Sequence, residues 1–172
     1  ERLLFARSGV RRAEIIKRGN LTQLEMKHFK QAVKEVGESQ LVIDDTAAIS
    51  INELRAKARR VMRDLGALAA VIVLAQLNRG PESRTGASLG VPRISDLRES
   101  GSIEQDADMI GLLYRSAYYA EDEEKRQQMA GRANLHLAKN RNGPTGDVPL
   151  HFEAELMRFS TREADEHDQE NE

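Results

Sequence analysis

Short unbroken apolar runs alternate along this chain with polar stretches that carry helix-start signals. In Leu21-Thr22-Gln23-Leu24-Glu25-Met26, Thr22 can cap a first turn while Glu25 reaches back to it, and Leu21 and Met26 are spaced as a hydrophobic staple. Ile49-Ser50-Ile51-Asn52-Glu53-Leu54 repeats that arrangement. The pattern predicts one helix ending at Val36, with Gly37 as its left-handed stop, and a second running to about Leu65 before Gly66.

Between the two helices, LVID (41–44) is apolar and β-branched, which predicts a strand. After Gly66, Val71-Ile72-Val73-Leu74 is an unbroken apolar run of the kind covered on both faces in a parallel sheet. Strand, helix and strand from Leu41 to Leu77 would then form one right-handed βαβ unit. A long polar connection from Asn78 to Ser95 holds three glycines and two prolines, and a loop of this length is usually functional or mobile. MIGLLYR (109–115) predicts another buried strand, and EDEEKRQQMAG is at most helical. RANLHLAK (132–139) and DVPLHF (147–152) predict strands joined by the turn NRNGPTG, and MRFS (157–160) a last one. The expected fold class is therefore α/β.

Composition narrows this picture. A chain of 172 residues, 40% hydrophobic and 31% charged, suits one domain with a real core. Residues 1–161 are expected to form it, and 162–172, with six carboxylates and one arginine, an acidic disordered tail. The net charge of −2 gives no global attraction to nucleic acid, so any such contact must come from local arrangement. There are no cysteines, and His28, His136, His151 and His167 show no metal-ligand spacing, so no metal site is expected. No apolar run approaches the roughly 20 residues of a membrane span. The chain opens at Glu1 without a signal peptide, and the expectation is a cytoplasmic fragment of something longer or processed.

Candidate chemistry is local. The sequence contains no Gly-x-x-x-x-Gly-Lys-[Ser/Thr], so the cradle and lysine that hold nucleotide phosphates are missing. Asp44 and Asp45 follow an apolar run as a magnesium-binding aspartate would, but without that cradle they read as ordinary strand-end residues. Gln76 stands where the expected central strand leaves the sheet, a place where ligands bind; neighbouring backbone could equally satisfy it. In DLRESGSIEQDAD (96–108), Gly101 lies just before a possible short helix whose free N–H groups could meet a phosphate despite the carboxylates around them. Glu99, Glu104 and Asp106 could meanwhile steady Arg98; a solvated acidic turn is the alternative. Lys139 and Arg141 alternate along a strand end and so share a face, forming a two-cation claw or simply a basic hairpin tip.

Together these pieces resemble the motor domain of DnaB-type replicative DNA helicases. SDLRESGSIEQDAD (95–108), the apolar strand and Tyr-Arg after it, and AKNRNGPTG carry the likeness; VIVLAQLNRG (71–80), LVIDDTAAISINELRAKARR (41–60) and the opening ERLLFARSGVRRAEIIKRG extend it to about Thr161. The resemblance implies a partial RecA-like fold, a mostly parallel sheet flanked by helices with a C-terminal antiparallel hairpin. It also implies ring hexamers, ATP and Mg2+ as cofactors, and travel on single-stranded DNA. By matching position, Arg98, Glu99 and Gly101 fall in the loop that tracks DNA, and Gln76 links the γ-phosphate state to that loop. Lys139 and Arg141 reach the neighbouring subunit's ATP site, Arg141 as arginine finger, with Asn140 where many members have Gln.

Two departures matter. The phosphate loop and catalytic glutamate would lie before Glu1, and the family's magnesium-binding strand, which belongs inside this chain, is missing. LRAKARR runs directly into VMRDLGALAAVIVLAQL, as if one helix had been spliced onto the next, leaving a sheet edge for another chain or loop to cover. The expected function is a portion of a helicase motor, of phage or bacterial type, that does not hydrolyse ATP alone. Alternatives are a non-catalytic module that docks on a complete helicase subunit or ring, and a DNA-binding fragment without ring partners.

Overall fold

The structure is a computed structural model, and it describes residues 1–162 apart from 48, 67–69, 86–88, 98–100 and 121. The chain divides into two compact units. Glu1–Ile43, Arg115–Leu135 and Val148–Glu172 make the first; Asp44–Tyr114 and His136–Asp147 make the second.

The first unit opens with two short helices, α1 (Arg2–Ser8) and α2 (Arg12–Arg18), which the sequence reading left unassigned. Both stop at a glycine in the left-handed region, Gly9 and Gly19, whose N–H groups return to the last helical turn. The third helix, α3 (Gln23–Glu38), begins as expected. Thr22 Oγ1 accepts the Glu25 N–H at 3.3 Å, and the Glu25 carboxylate accepts the Thr22 N–H at 2.8 Å, closing the capping box. Its end differs from expectation, because Gly37 stays helical and the helix stops at Ser39, which caps it by hydrogen-bonding to the Val36 carbonyl. Helix α1 packs on α3 with Phe5 and Phe29 rings 5.4 Å apart, over buried Ala32.

The same unit contains α6 (Ser116–Tyr119), α7 (Glu123–Gln128), the start of β2 (Arg132–Asn140), most of β3 (Gly146–Glu153) and all of β4 (Arg158–Thr161). Strands β3 and β4 pair antiparallel, Phe152 opposite Phe159 with ring centroids 4.7 Å apart. Phe152 and Leu156 are buried, and the Arg115 guanidinium lies 4.5 Å from the centre of the Phe152 ring. Gly131 has φ 75° and lies so close to the His151 ring that a Cβ would come within 2.6 Å of it.

The second unit holds α4 (Ile51–Leu65), α5 (Gly101–Asp106) and β1 (Met109–Tyr114), with the end of β2, the start of β3 and the turn between them. Helix α4 matches expectation at both ends: Ser50 Oγ accepts the Glu53 N–H at 3.2 Å, and Gly66 adopts φ 75°. The expected short helix after residue 100 is present, with Gly101 as its first residue rather than the one before. The sheet order is β1-β2-β3-β4. The Arg141 N–H, just past the end of β2, donates to the Asp108 carbonyl just before β1, so these two strands run in opposite directions.

This corrects the expected mostly parallel sheet. Among the described residues neither LVID (41–44) nor Val71–Leu74 is a strand, and the βαβ unit does not form. Both runs are exposed, with Ile43 at 73%, Ile72 at 85% and Leu74 at 94%. An apolar run becomes a strand only where a neighbour takes its N–H and C=O groups. Strand β1 is also half-covered rather than enclosed: Ile110 and Leu112 are buried, while Met109 and Leu113 alternate outward. The acidic tail from 163 onward lies outside the described residues.

Candidate functional site

Of the candidate residues, Gln76, Gly101, Lys139 and Arg141 lie in the second unit. The turn after β2 is built on Asn140, whose Nδ2 donates to the Pro144 carbonyl at 3.0 Å while its Oδ1 accepts the Asn142 N–H at 3.2 Å. That turn holds the end of β2 so that Lys139 and Arg141 present one face, as the alternation predicts. Both reach the last turn of α5. Lys139 Nζ donates to the Glu104 carbonyl, and the Arg141 guanidinium donates to the Gln105 carbonyl and, at 3.0 Å, to Asp108. Helix C-termini leave carbonyls unpaired and carry partial negative charge, so two cations there are well placed. Arg141 remains half exposed, its side chain at 50%.

A second feature went unread in the sequence. The connection from Asn78 to Leu97 closes on a buried carboxylate, Asp96, which is 3% exposed. Asp96 Oδ1 accepts from the Arg84 guanidinium at 2.7 Å and Oδ2 from the Arg93 N–H at 2.7 Å. Arg84 also donates to the Val91 carbonyl at 2.6 Å. The Asp96 carbonyl accepts the Asn78 N–H at 2.6 Å, next to a β-bridge between Leu77 and Leu97. Pro81, Gly90 and Pro92 are buried inside the loop, where the Gly90 N–H donates to the Pro81 carbonyl. The Arg84 guanidinium holds the Asp96 carboxyl below its usual range, and the Arg93 N–H adds to this against the opposing effect of burial. The signal that could have found it is an arginine and the loop's only aspartate bracketing a run rich in glycine and proline.

Gln76 is exposed and adjoins that bridge through Leu77. Arg98 and Glu99 lie outside the described residues, so of the expected DNA loop only Gly101 is placed, at the start of α5. Arg55 on α4 pairs with Asp106 at the end of α5 at 2.8 Å. Asp44 is bound to Lys57 at 2.7 Å and accepts the Thr46 N–H at 2.9 Å; these partners, Lys57 first, hold its carboxyl far below the usual range. His136 is engaged with Asp147 at 2.9 Å. Among the described residues no group of three or more His, Asp or Glu could hold a metal ion, and no helix is long and apolar enough to cross a membrane.

The DnaB-like helicase C terminal domain family matches residues 1–73 and again 67–161. The chain belongs to that family. It is 34% identical over 197 positions to the replicative DNA helicase DnaB of Mycobacterium intracellulare, covering 92% of this chain and 33% of that protein. It is 33% identical to the replicative DNA helicase DnaC of Bacillus subtilis (strain 168), covering 92% of this chain and 42% of that protein. The chain thus spans well under half the length of these relatives.

Among solved structures, the DnaB-like replicative helicase described with its interactions with primase superposes with a TM-score of 0.70 at 28% identity, over 94% of this chain and 47% of that one. A second solved structure, an ATPase domain, gives a TM-score of 0.62 at 28% identity, over 94% of this chain and 69% of that one. The 197 aligned positions exceed the 172 residues of the chain, so DnaB-like relatives carry residues that this chain skips. The two family matches overlap at 67–73, a few residues past the junction of Arg60 and Val61 where the sequence pattern suggested a splice.

Proposed function

We propose that this chain acts as the DNA-contacting and neighbour-facing part of a replicative helicase motor, working on single-stranded DNA in a ring or beside a complete helicase subunit. The observation that carries the reading is the meeting of Lys139 and Arg141 with the C-terminal turn of α5, the helix that opens at Gly101. Two cations and a glycine-led helix occupy one local structure, in a chain of the DnaB-like family. In this reading Arg98, Glu99 and Gly101 follow the DNA backbone, with backbone amides gripping phosphates without a basic run. Gln76 passes the state of the bound nucleotide to that loop. Arg141, as arginine finger, and Lys139 serve a neighbour's ATP, and to do so they must leave the carbonyls they now hold.

The chain does not hydrolyse ATP by itself. Supporting this, it contains no phosphate-cradling glycine loop with its lysine, and Asp44 is already engaged by Lys57. The residues of this stretch do not make an ATP–Mg2+ pocket by themselves. The test is fluorescence anisotropy with labelled oligo-dT across a salt series, together with steady-state ATPase assays. Binding that weakens with salt and weakens again in Arg98→Ala supports the reading. Binding unaffected by Arg98→Ala removes the loop assignment, and multiple-turnover ATPase from the chain alone removes the proposed inactivity.

The exposure of Arg141 also favours the second reading, a regulatory module docked on an intact helicase ring. In that case the chain changes the ATPase rate of a full-length DnaB-like helicase, and Arg141→Ala abolishes the change.

A further inference from the structure

We propose that the outer face of α3 is a second contact for single-stranded DNA, where Lys27, Lys30 and Lys34 grip the phosphate backbone without reading sequence. The stripe belongs to the first unit, whereas Gly101 and Arg141 belong to the second. It rests on the reading that the chain works on single-stranded DNA, though not on the loop at Arg98.

Helix α3 carries three lysines and three glutamates, and its packing separates them. Glu25 is bound by Arg18 from α2 at 2.7 Å, and Glu35 by Arg7 from α1 at 2.6 Å. Those arginines take up carboxylates that the lysines would otherwise have as neighbours. Lys27 and Lys30 have no ion pair among the described residues. Lys34 has only Glu38, exposed and at 3.9 Å, a contact worth little in water. All three lysines are exposed and stand at i, i+3 and i+7, spanning about 10 Å of helix, with Gln23, Met26 and Gln31 beside them in one open groove. Like charges at that spacing repel one another and oppose the helix. The core gains nothing from them, because the packed side of α3 is the one with Ala32 and Phe29. A polyanion laid along the groove turns that repulsion into attraction. A protein partner suits the groove less, since lysine is depleted from the centres of protein interfaces and Met26 is the one apolar side chain in the lining. Among the described residues no aromatic ring lines it for a base to stack on, so phosphates are what it holds.

The experiment measures oligo-dT binding by anisotropy across a salt series, on the full chain carrying Lys27→Gln, Lys30→Gln and Lys34→Gln together. Each phosphate neutralised on a single strand contributes about 0.7 to the slope of log affinity against log salt, so the triple variant should lower that slope by about 2. Between about 50 and 200 mM salt the natural chain should then lose about twentyfold more affinity than the variant. Arginine at the same three positions keeps the charges and should keep the slope. Should circular dichroism show lost helix in the triple variant, the three single glutamine variants replace it, each expected to lower the slope by about 0.7. An unchanged slope overturns the proposal, and so does a natural chain that does not bind oligo-dT. A duplex of equal length that binds more tightly with the same lysine dependence overturns the assignment to single strands. A polyglutamate peptide of equal charge that displaces oligo-dT as well as unlabelled oligo-dT does overturns it in favour of an acidic protein segment. Arg98→Ala keeps the two readings apart. If it weakens binding while the lysine variant leaves the slope unchanged, the loop stands and the stripe falls; if it is silent while the slope drops, the stripe stands without the loop.

Discussion

Replacing Gly80 with alanine tests the packing around Asp96 at its tightest point. Gly80 has φ −54° and ψ −44°, a conformation any residue adopts, so backbone strain is not at issue. In open space the substitution would stabilise by about 0.5–1 kcal/mol, because alanine loses less conformational freedom on folding. Here the new methyl would meet Asp96 Oδ1 and Asn78 Oδ1, each at 2.7 Å. Asn78 can swing aside at the expense of the bond its Oδ1 receives from the Gly80 N–H. Asp96 cannot move without loosening its 2.7 Å bond to Arg84, and a hydrogen bond to a charged group is worth about 1.5–3 kcal/mol. The net expectation is destabilisation of the loop by about 1–2 kcal/mol, which speeds local opening about 5- to 30-fold. Hydrogen exchange at the Asn78 and Arg93 amides reads it directly, since both donate to Asp96. Exchange at those amides that is unchanged or slower in Gly80→Ala would show that Asp96 is not held as described.

Other expectations follow from the same structure. As pH falls, the contribution of Asp96 should disappear: its folded pKa is depressed, so the contribution is full above the unfolded value of about 4 and lost as pH drops through the folded one. The stability difference between the natural chain and Asp96→Asn, followed by circular dichroism, should therefore shrink below about pH 4; a constant gap would contradict the pairing. Glu25 shares this direction, its pKa lowered to about 2 by Arg18 first and then by Thr22, so the protection it lends the start of α3 should decline in amide-exchange measurements as pH falls from about 4 towards 2. Thr22→Ala should weaken α3 by about 1 kcal/mol, seen as faster exchange at the Glu25 amide. Arg141→Ala or Lys139→Ala should each loosen the end of α5 by about 0.3–1 kcal/mol, measured by exchange across 101–106.

Local signals carried furthest in the sequence. Thr22 with Glu25, Ser50 with Glu53, and the stop at Gly66 concern groups a few residues apart, so neighbours in the chain decide them. The turn at Asn140 and the shared face of Lys139 and Arg141 were legible for the same reason. Gly37 misled because a glycine can end a helix but need not, and here Ser39 supplies the stop instead. LVID and Val71–Leu74 misled more deeply: their composition says strand, but strandhood belongs to a pair, and pairing depends on residues elsewhere. Asp96 and Arg84 were missed because an ion pair across twelve residues of loop leaves no periodic trace. The alternation in β1 shows the same limit: the apolar run was read as enclosed, and only tertiary packing revealed that one side is bare.

The uncovered runs at 41–43 and 71–74 have a practical consequence for handling the protein. A fully buried large aliphatic side chain contributes about 1.5–3 kcal/mol, and Ile43, Ile72 and Leu74 forgo most of that by facing water. Apolar, exposed and rich in β-branched residues, these runs are apt to stick to one another, so the chain's working concentration should be limited by self-association well before its net charge of −2 can keep copies apart.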